Sequence, residues 1–298
     1  MNATNPEFAR NLGFITVAEQ ERINDSIVAI AGAGGDGGLL AIEFARMGVG
    51  EIRLADPDIF EAENINRQAA CTIQFTVGEN KATGVGNYIK AINPEINVKT
   101  YTDGITVENV DEFVGGSSLL VDETEFTIHA IGTMLARAAR KNNIANLQAL
   151  NIGFGAQIRS FDPKGKTFEA YLGLDPKAPI DEIAQQVVPL TNWLVKLPKY
   201  GDIAVFEKVA EGDISAPSVA PGVALAAGVA ATEGFLHLVG DQNRRRRPIF
   251  APKTIYIDAM DIKSKVIKHP KLSIYSSLLG LAVRNKLRLN PSTAYSEI

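Results

Sequence analysis

The chain has 298 residues, of which 46% are hydrophobic and 21% charged, and its formal net charge is −4. This composition is typical of a globular protein long enough for one large domain or two small ones. The weak negative charge argues against nucleic acid as a main partner. The single cysteine, Cys71, excludes an intrachain disulfide and a Cys-x-x-Cys zinc pair. Residues 1–10 contain no apolar core of a signal peptide. Together with the single cysteine, this favours a cytoplasmic location.

The first predicted elements are a short helix over residues 18–23 and a buried strand that begins at Ile27. The glycines Gly32, Gly34, Gly35 and Gly37 follow that strand and lead into a helical pattern over residues 39–47. In a nucleotide-binding unit, the first glycine allows a tight turn, the second lets a phosphate approach the backbone, and the last lets the helix sit close to the strand. The helix start then offers free N–H groups to an anion.

Strands and helices continue to alternate as far as residue 151, which predicts right-handed crossovers and a mainly parallel sheet. A helix rich in small residues is predicted over residues 221–239, and we expect it to be buried and not to enter a membrane. In chain order the further predicted strands are 51–55, 96–100, 118–121, 146–151, an edge strand at 156–161, and 253–258; the further helices are 81–92, 106–114, 128–142 and 273–287.

These elements predict an α/β, Rossmann-like fold: a mainly parallel sheet with helices on both faces, plus a loop-rich C-terminal portion. We divide the chain into a helical lead-in at 1–26, a nucleotide-binding core at 27–161 and a substrate or dimer portion of the same domain at 162–298. The run Arg244–Arg247 is interpreted as a solvated loop in preference to an anionic-partner site.

Three strand ends carry the predicted site, because ligands gather at the carboxyl ends of parallel strands. The glycine turn follows the first strand, and Asp56 and Asp122 end two others. The spacing from the glycines to Asp56 suits a carboxylate that accepts hydrogen bonds from a ribose hydroxyl, as in binding of NAD or ATP.

Three polar side chains favour ATP over a dinucleotide. Asn64, Arg67 and Lys81 follow the ribose carboxylate. A triphosphate needs cations to neutralise it, most of all when pyrophosphate leaves. A dinucleotide enzyme would leave these cations without a task, although an NAD(P)- or FAD-dependent oxidoreductase remains the alternative that explains the glycines and Asp56.

The motifs together resemble the ThiF/MoeB/HesA group of adenylyltransferases, relatives of ubiquitin-activating enzymes. The resemblance covers residues 8–161 and, more loosely, 214–240. It is carried by motifs in order: Gly32-x-Gly34-Gly35-x-Gly37, Asp56-x-Asp58, Asn64-x-Asn66-Arg67-Gln68, Gly78-x-x-Lys81, Asn93-Pro94 and a strand ending in Asp122.

What the resemblance implies is an enzyme in which ATP meets the carboxylate of a protein, peptide or small molecule. An acyl-adenylate forms and pyrophosphate leaves. The implied ATP-binding residues are Gly32, Gly34, Gly35, Gly37, Asp56, Asp58, Asn64, Arg67, Gln68, Lys81 and Asp122, with Arg67, Lys81, Glu125 and Arg10 as catalytic residues. The implied enzyme is a homodimer, and Arg10 reaches into the site of the partner subunit.

Two departures from the family pattern stand out. The usual Asp-x-x-Asp after the strand is Asp122-Glu123-Thr124-Glu125, so the implied magnesium ligands are Asp122 and the longer Glu125. The zinc cysteines and the catalytic cysteine of thioester-forming members are missing, and Cys71 is interpreted as a small buried side chain. A non-catalytic relative that only binds nucleotide therefore remains a second alternative.

Several other side chains receive structural interpretations. His129 is placed on the surface or at a helix cap, and His237 in the core or an interface. Trp193 and Tyr200, in a proline-bounded segment, are expected to pack in preference to lining a substrate groove.

Overall fold

The structure is a computed structural model that describes residues 6–211, 213–240 and 246–269. Two short 3-10 helices, Pro6–Asn11 and Ala62–Asn66, accompany the main elements. The α-helices are α1 Val17–Asn24, α2 Gly35–Met47, α3 Lys81–Ile92, α4 Val110–Val114, α5 His129–Lys141, α6 Phe168–Leu172, α7 Ile180–Ala184, α8 Leu190–Trp193, α9 Ile203–Glu211 and α10 Ala220–Val239. The strands are β1 Ile27–Ala31, β2 Glu51–Ala55, β3 Asn97–Tyr101, β4 Leu119–Asp122, β5 Asn146–Ile152, β6 Gly155–Phe161, β7 Lys253–Asp258 and β8 Lys263–Lys268.

All eight strands form one sheet in the order β3-β2-β1-β4-β5-β6-β7-β8. The first five pair in parallel, and β6, β7 and β8 continue the sheet antiparallel. The predicted α/β fold with a mainly parallel sheet is confirmed. The sheet contains strands from both sides of the predicted boundary between residues 161 and 162, because β7 and β8 come from the C-terminal portion.

Alternating side chains place the core on both faces of the sheet. On one face, Val28, Ile30 and their counterparts on other strands pack against α2, α3 and α10. On the other, Ala29, Ala31 and Leu120 pack against α4 and α5. Period-two alternation sends neighbouring residues to opposite faces, and helices cover both, so the strands read as continuous apolar runs.

Helix α10 is the predicted small-residue helix, and it packs against α2, β5 and β6. Its length and hydropathy would allow it to cross a membrane, but 67% of its most apolar window is buried inside the fold. Two glycines permit the close packing: a Cβ on Gly222 would lie 2.1 Å from the carbonyl oxygen of Gly153, and one on Gly234 would lie 2.5 Å from the ring of Phe44. A core helix explains these contacts.

Two predicted elements differ from the structure. The strand predicted at the edge, β6, lies inside the sheet between β5 and β7. Its polar residues are covered: Gln157 hydrogen-bonds to the backbone of Val195 and Lys196 in the loop-rich segment. The helix predicted over 106–114 is shorter, because Thr106 and Asn109 bond to each other's backbone N–H groups and hold a turn before α4.

The arginine run is only partly described, since Arg244 and Arg245 lie outside the described residues. Arg246 forms an ion pair with the buried carboxylate of Glu233, and Glu233 also accepts a hydrogen bond from the N–H of Ile249 at 2.8 Å. Arg246 is exposed and outside regular secondary structure, as predicted for a solvated loop, and the ion pair is an addition to that prediction. The helix predicted over 273–287 also lies outside the described residues.

His237 lies under the sheet, as predicted, with Nε2 2.9 Å from Oγ of Ser160 and its ring against Phe250. Burial lowers the pKa of His237 from 6.5 to about 4, opposed by the negative charge of Asp162. Between these values the unfolded chain binds a proton that the folded chain does not, so stability falls as the pH falls.

We expect the His237→Gln variant to remove a slope of about 1.4 kcal/mol per pH unit from the free energy of unfolding in that window. Urea unfolding of both proteins at pH 4.5, 5.5 and 7.5 measures the difference. Parallel stability curves would contradict the assigned protonation state of His237.

Candidate active site

A cavity of about 640 Å³ lies at the carboxyl ends of β1, β2 and β4, where the strand-end motifs were predicted to meet. This volume is within the range of small-molecule sites. The glycine turn, Asp56 and Asp122 all line it. Its wall also contains Asp36, Asp58, Arg67, Gln68, Lys81, Asp103, Glu123, Glu125, Phe126, His129, Gln148, Asn151, Trp193 and Ser218.

The glycine turn is built so tightly that two glycines admit no side chain. Gly32 has φ +93°, and a Cβ there would lie 2.2 Å from the carbonyl oxygen of Glu123. A Cβ on Gly37 would lie 2.0 Å from the carbonyl oxygen of Gly32. Gly34 is different, since its nearest neighbour would be Nε2 of Gln68 at 3.7 Å. The open space beside Gly34 faces the cavity, where the phosphate was predicted to approach.

Asp56 fixes the loop after β2 to the glycine turn. One carboxylate oxygen accepts a hydrogen bond from the N–H of Ala33 at 2.7 Å, and the other accepts one from the N–H of Asp58 at 2.9 Å. Burial raises the pKa of Asp56, and these two hydrogen bonds oppose the shift. The carboxylate therefore braces the turn while its remaining lone pairs face the cavity.

Lys81 and Arg67 both reach the wall of this cavity. Lys81 begins α3, and its ammonium lies 2.8 Å from Oδ2 of Asp58; the lysine side chain is 12% exposed and the aspartate 66%. Nη1 of Arg67 donates to Oδ1 of Asn66 at 2.8 Å. The two cations thus stand at the same mouth as the glycine turn.

Two predicted ligands lie away from the cavity wall. Asn64 is 4% exposed, and its Oδ1 accepts a hydrogen bond from the N–H of Glu61 at 3.0 Å, so it caps the 3-10 helix Ala62–Asn66. Arg10 is exposed on the 3-10 helix Pro6–Asn11. Gln68 does line the cavity, and its buried Oε1 has no hydrogen-bond partner among the described residues.

Two acids that the sequence analysis missed, Asp36 and Glu123, line the cavity beside the glycine turn. Oδ2 of Asp36 accepts hydrogen bonds from the backbone and the side chain of Asn151 at 3.0 and 2.8 Å. Burial raises the pKa of Asp36 to about 6. Burial first, and the charge of Asp36 second, hold the pKa of Glu123 well above its ordinary range. Glu123 therefore gives up its proton less readily than an ordinary glutamic acid.

A polar row crosses the sheet beside Asp122. Oδ2 of Asp122 accepts a hydrogen bond from Nε2 of Gln148 at 2.8 Å, and Oε1 of Gln148 accepts one from Nε of Arg159 at 3.0 Å. Arg159 is 1% exposed and donates at its other end to the carbonyl oxygen of Trp193. Burial raises the pKa of Asp122, and the hydrogen bonds from Thr124 and Gln148 oppose that shift. In the sequence these residues belong to three separate predicted strands, and no local pattern indicates that they bond to one another.

The charges of the cavity wall decide whether a magnesium ion, as the resemblance implies, would fit there. Seven carboxylates line the cavity (Asp36, Asp56, Asp58, Asp103, Asp122, Glu123 and Glu125) against Arg67 and Lys81. A triphosphate would add further negative charge, so a divalent cation suits this wall, and oxygen ligands suit Mg²⁺. No group of three His, Cys, Asp or Glu among the described residues forms a ready metal site. The residues present therefore fit an ion held by one or two carboxylates together with nucleotide phosphates.

Part of the cavity wall is aromatic. His129 begins α5, as predicted, but it is 2% exposed and therefore not on the surface, and its Nε2 bonds to the carbonyl oxygen of Ile183 at 2.8 Å. Burial lowers the pKa of His129. Trp193 is buried, yet it also lines the cavity beside Phe126. Its Nε1 and Nδ1 of His129 are buried and have no partner among the described residues.

Cys71 is a structural side chain, as the sequence analysis predicted. It is 5% exposed, and its thiol lies 3.5 Å from the carbonyl oxygen of Glu61. Burial raises the pKa of the thiol, which disfavours the thiolate that a nucleophile needs.

Comparison with known proteins agrees with this geometry. The family model described as "ThiF family" matches residues 8–273. The chain belongs to the ThiF family. The predicted resemblance is confirmed at this level, and the match extends well beyond the segments that carried it.

Curated relatives match a shorter stretch. The SAMP-activating enzyme E1 of Haloferax volcanii is 33% identical over 106 residues, which is 36% of this chain and 39% of that protein. Protein HesA of a Nostoc species is 34% identical over 105 residues, 35% of this chain and 41% of that protein. The chain thus spans about two-fifths of the length of these relatives.

Solved structures extend the likeness of fold. Escherichia coli MccB with ATP aligns with a TM-score of 0.66 and 18% identity, covering 92% of this chain and 74% of that chain. PaaA aligns with a TM-score of 0.62 and 22% identity, covering 86% and 67%. These similarities show a shared fold.

Proposed function

We propose that this ThiF-family protein is an ATP-dependent adenylyltransferase that activates a carboxylate as an acyl-adenylate and releases pyrophosphate. The observation that carries the proposal is the convergence of Arg67 and Lys81 on the cavity that the glycine turn and Asp56 line. Cations at this place can stabilise the charge that develops on a leaving pyrophosphate. An NAD(P)- or FAD-dependent oxidoreductase would use the turn and Asp56 but neither cation.

In this proposal each residue has a role set by its position. Asp56 accepts a hydrogen bond from a ribose hydroxyl, and the space beside Gly34 admits the phosphates. A carboxylate oxygen of the substrate attacks the α-phosphorus, and the bond from that phosphorus to the bridging oxygen breaks. Arg67 and Lys81 hold the departing oxygens. Asp122 and Glu125 would hold Mg²⁺, which would screen the phosphate charge.

The proposed substrate is a peptide or protein with a free carboxylate. Phe126, His129 and Trp193 line the same cavity as the nucleotide motifs and can hold the acyl group. Among proteins of like fold, MccB has been solved with MccA, and one curated relative is a SAMP-activating enzyme. With Cys71 buried, we propose that the acceptor, or an internal amide or amine of the substrate, attacks the adenylate directly.

The test is ATP–pyrophosphate exchange in the presence of Mg²⁺ and a pooled library of short peptides with free C-terminal carboxylates. The matched control is the same library with amidated C-termini, which removes the reacting group. We expect exchange with the free acids alone, and its loss in EDTA. ATP binding without exchange in either library would instead support a non-catalytic nucleotide-binding protein, and preferential binding of NAD would support an oxidoreductase.

We further propose that the enzyme is a cytoplasmic homodimer in which Arg10 serves the partner's site. Arg10 is exposed and does not line the cavity of its own subunit. Leu12, Phe14 and Val17 lie close to it in the chain and are all exposed, and a group of exposed apolar side chains can mark a protein–protein interface. A monomer in light scattering at micromolar concentration would remove this role for Arg10.

A further inference from the structure

A second cavity, of about 250 Å³, lies at the end of the sheet where β5 begins, opposite to the strand ends that line the candidate active site. Asn146 begins β5, and it pairs with Phe161 at the end of β6. The last turns of α5 and the turn at residues 162–166 complete the wall. The first cavity, by contrast, lies where β4 ends at Asp122. The two cavities are therefore separate, with α5 reaching both.

Asn146 is the feature of this second cavity that calls for a ligand. It is 2% exposed and lines the cavity, yet both its Nδ2 and its Oδ1 are buried without a hydrogen-bond partner among the described residues. Buried polar groups are almost always paired, because an unpaired one loses its hydrogen bonds to water and gains nothing. Here a donor and an acceptor of one side chain both lack partners.

The charges around Asn146 are positive in sum. Arg137, Arg140 and Lys166 line the cavity with Asp162 and Glu169. Arg137 is engaged: its Nε lies 2.8 Å from Oε1 of Glu169, and its Nη2 donates to two backbone oxygens. The other two cations form no ion pair with a carboxylate of the described residues.

These two cations retain donors that can serve a ligand. Arg140 donates from Nη1 to the carbonyl oxygen of Gly165 at 3.0 Å, which leaves most of its N–H groups for another acceptor. The ammonium of Lys166 lies 5.8 Å from the centre of the Tyr171 ring, and that contact occupies none of its N–H bonds. Asp162 accepts a hydrogen bond from the N–H of Lys164.

We propose that the second cavity binds a phosphate group of a small molecule. The phosphate oxygens would accept hydrogen bonds from Nδ2 of Asn146 and charge-assisted hydrogen bonds from Arg140 and Lys166. Oδ1 of Asn146 needs a donor, which the hydroxyl of hydrogen phosphate or of a sugar phosphate supplies. A simple carboxylate has only acceptor oxygens, so it would leave Oδ1 unpaired. The cavity is large enough for inorganic phosphate or a monosaccharide phosphate but small for a nucleotide.

The experiment is isothermal titration calorimetry of the full chain with inorganic phosphate and, separately, with ribose 5-phosphate, at constant ionic strength. We expect one site for at least one of the two probes, weakened at least tenfold in Asn146→Leu and in Lys166→Met. Lys166 is only half-buried, so its variant keeps the test valid even where the Asn146 variant folds poorly. Lys164→Met, on the same turn but outside the cavity wall, should bind as the wild type does.

The Lys81→Ala variant separates this site from the candidate active site. Binding that survives in Lys81→Ala and fails in Lys166→Met supports the second cavity. Binding lost only in Lys81→Ala places the phosphate in the first cavity and overturns the proposal, as does an absence of heat with both probes, which would leave the cavity to water. Binding of ribose 5-phosphate alone identifies a phosphate monoester as the source, and binding of inorganic phosphate identifies the free ion. Neither binding result depends on whether the protein forms an acyl-adenylate.

Discussion

Replacing Lys81 with alanine is expected to lower the rate of ATP–pyrophosphate exchange by about 100- to 1,000-fold, the cost of removing one donor to a developing negative charge. Arg67→Ala should fall in the same range. Both side chains line the cavity beside the glycine turn. The exchange assay with the free-acid peptide library measures the loss, and a direct ATP-binding titration shows how much of it occurs in the ground state.

Three controls separate catalysis from stability. Lys141→Ala removes an exposed lysine that pairs with Asp111 far from the cavity, and Arg46→Ala removes an exposed arginine at the end of α2. Both should exchange normally. Asp58→Asn removes the charged partner of Lys81 but keeps the ammonium, so exchange should fall less than in Lys81→Ala. Full exchange in Lys81→Ala and Arg67→Ala would refute the roles proposed for them.

Gly37→Ala should destabilise the fold by about 3 kcal/mol, the upper end of the cost of overpacking. The new Cβ would lie 2.0 Å from the carbonyl oxygen of Gly32 and 3.1 Å from the Cβ of Glu123. The first of these neighbours is backbone, so α2 must move away from β1 to relieve the clash. Urea unfolding measures the change, and any remaining folded protein should bind ATP more weakly because the turn is displaced.

Gly228→Ala is the matched control, with an effect of opposite sign. Gly228 is exposed in the middle of α10, and a Cβ there would meet nothing within 4 Å. Alanine should therefore stabilise the protein by about 0.5–1 kcal/mol through its better helix propensity. A Gly37→Ala protein as stable as the wild type would mean that the turn is looser than the structure shows.

Local patterns in the sequence predicted much of the fold. The runs that became β2, α3 and β7 were predicted with the bounds that the structure gives them, because apolar periodicity and Asn or Pro breakers mark their ends. The edge position of β6 was wrong for a different reason. Whether a strand is flanked on both sides depends on a partner far along the chain, and no local pattern of residues 156–161 encodes β7.

For the candidate site too, some residues were predicted from the sequence and others were not. Motif positions placed the glycine turn, Asp56, Arg67 and Lys81 at one cavity. Asp36, Glu123 and Arg159 were missed, since they are ordinary positions of a motif or a strand until tertiary packing buries them. A charged residue at a variable position of the glycine motif was the one available signal for Asp36. Asn64 was expected at the phosphates, but the same short polar side chain also suits a helix cap, and the structure uses it there.

The order of strands also bears on how the chain is made. Ile27, at the start of β1, hydrogen-bonds to Ser118, 91 positions later, just before β4. On a ribosome, β1 therefore has an unpaired apolar edge until β4 emerges, and β6 waits similarly for β7. Exposed edges of this kind template association with other chains. A nascent chain stopped within the loop-rich segment would carry such an edge on β6, a strand that the finished sheet covers on both sides, so interrupted synthesis exposes an edge that the folded protein does not.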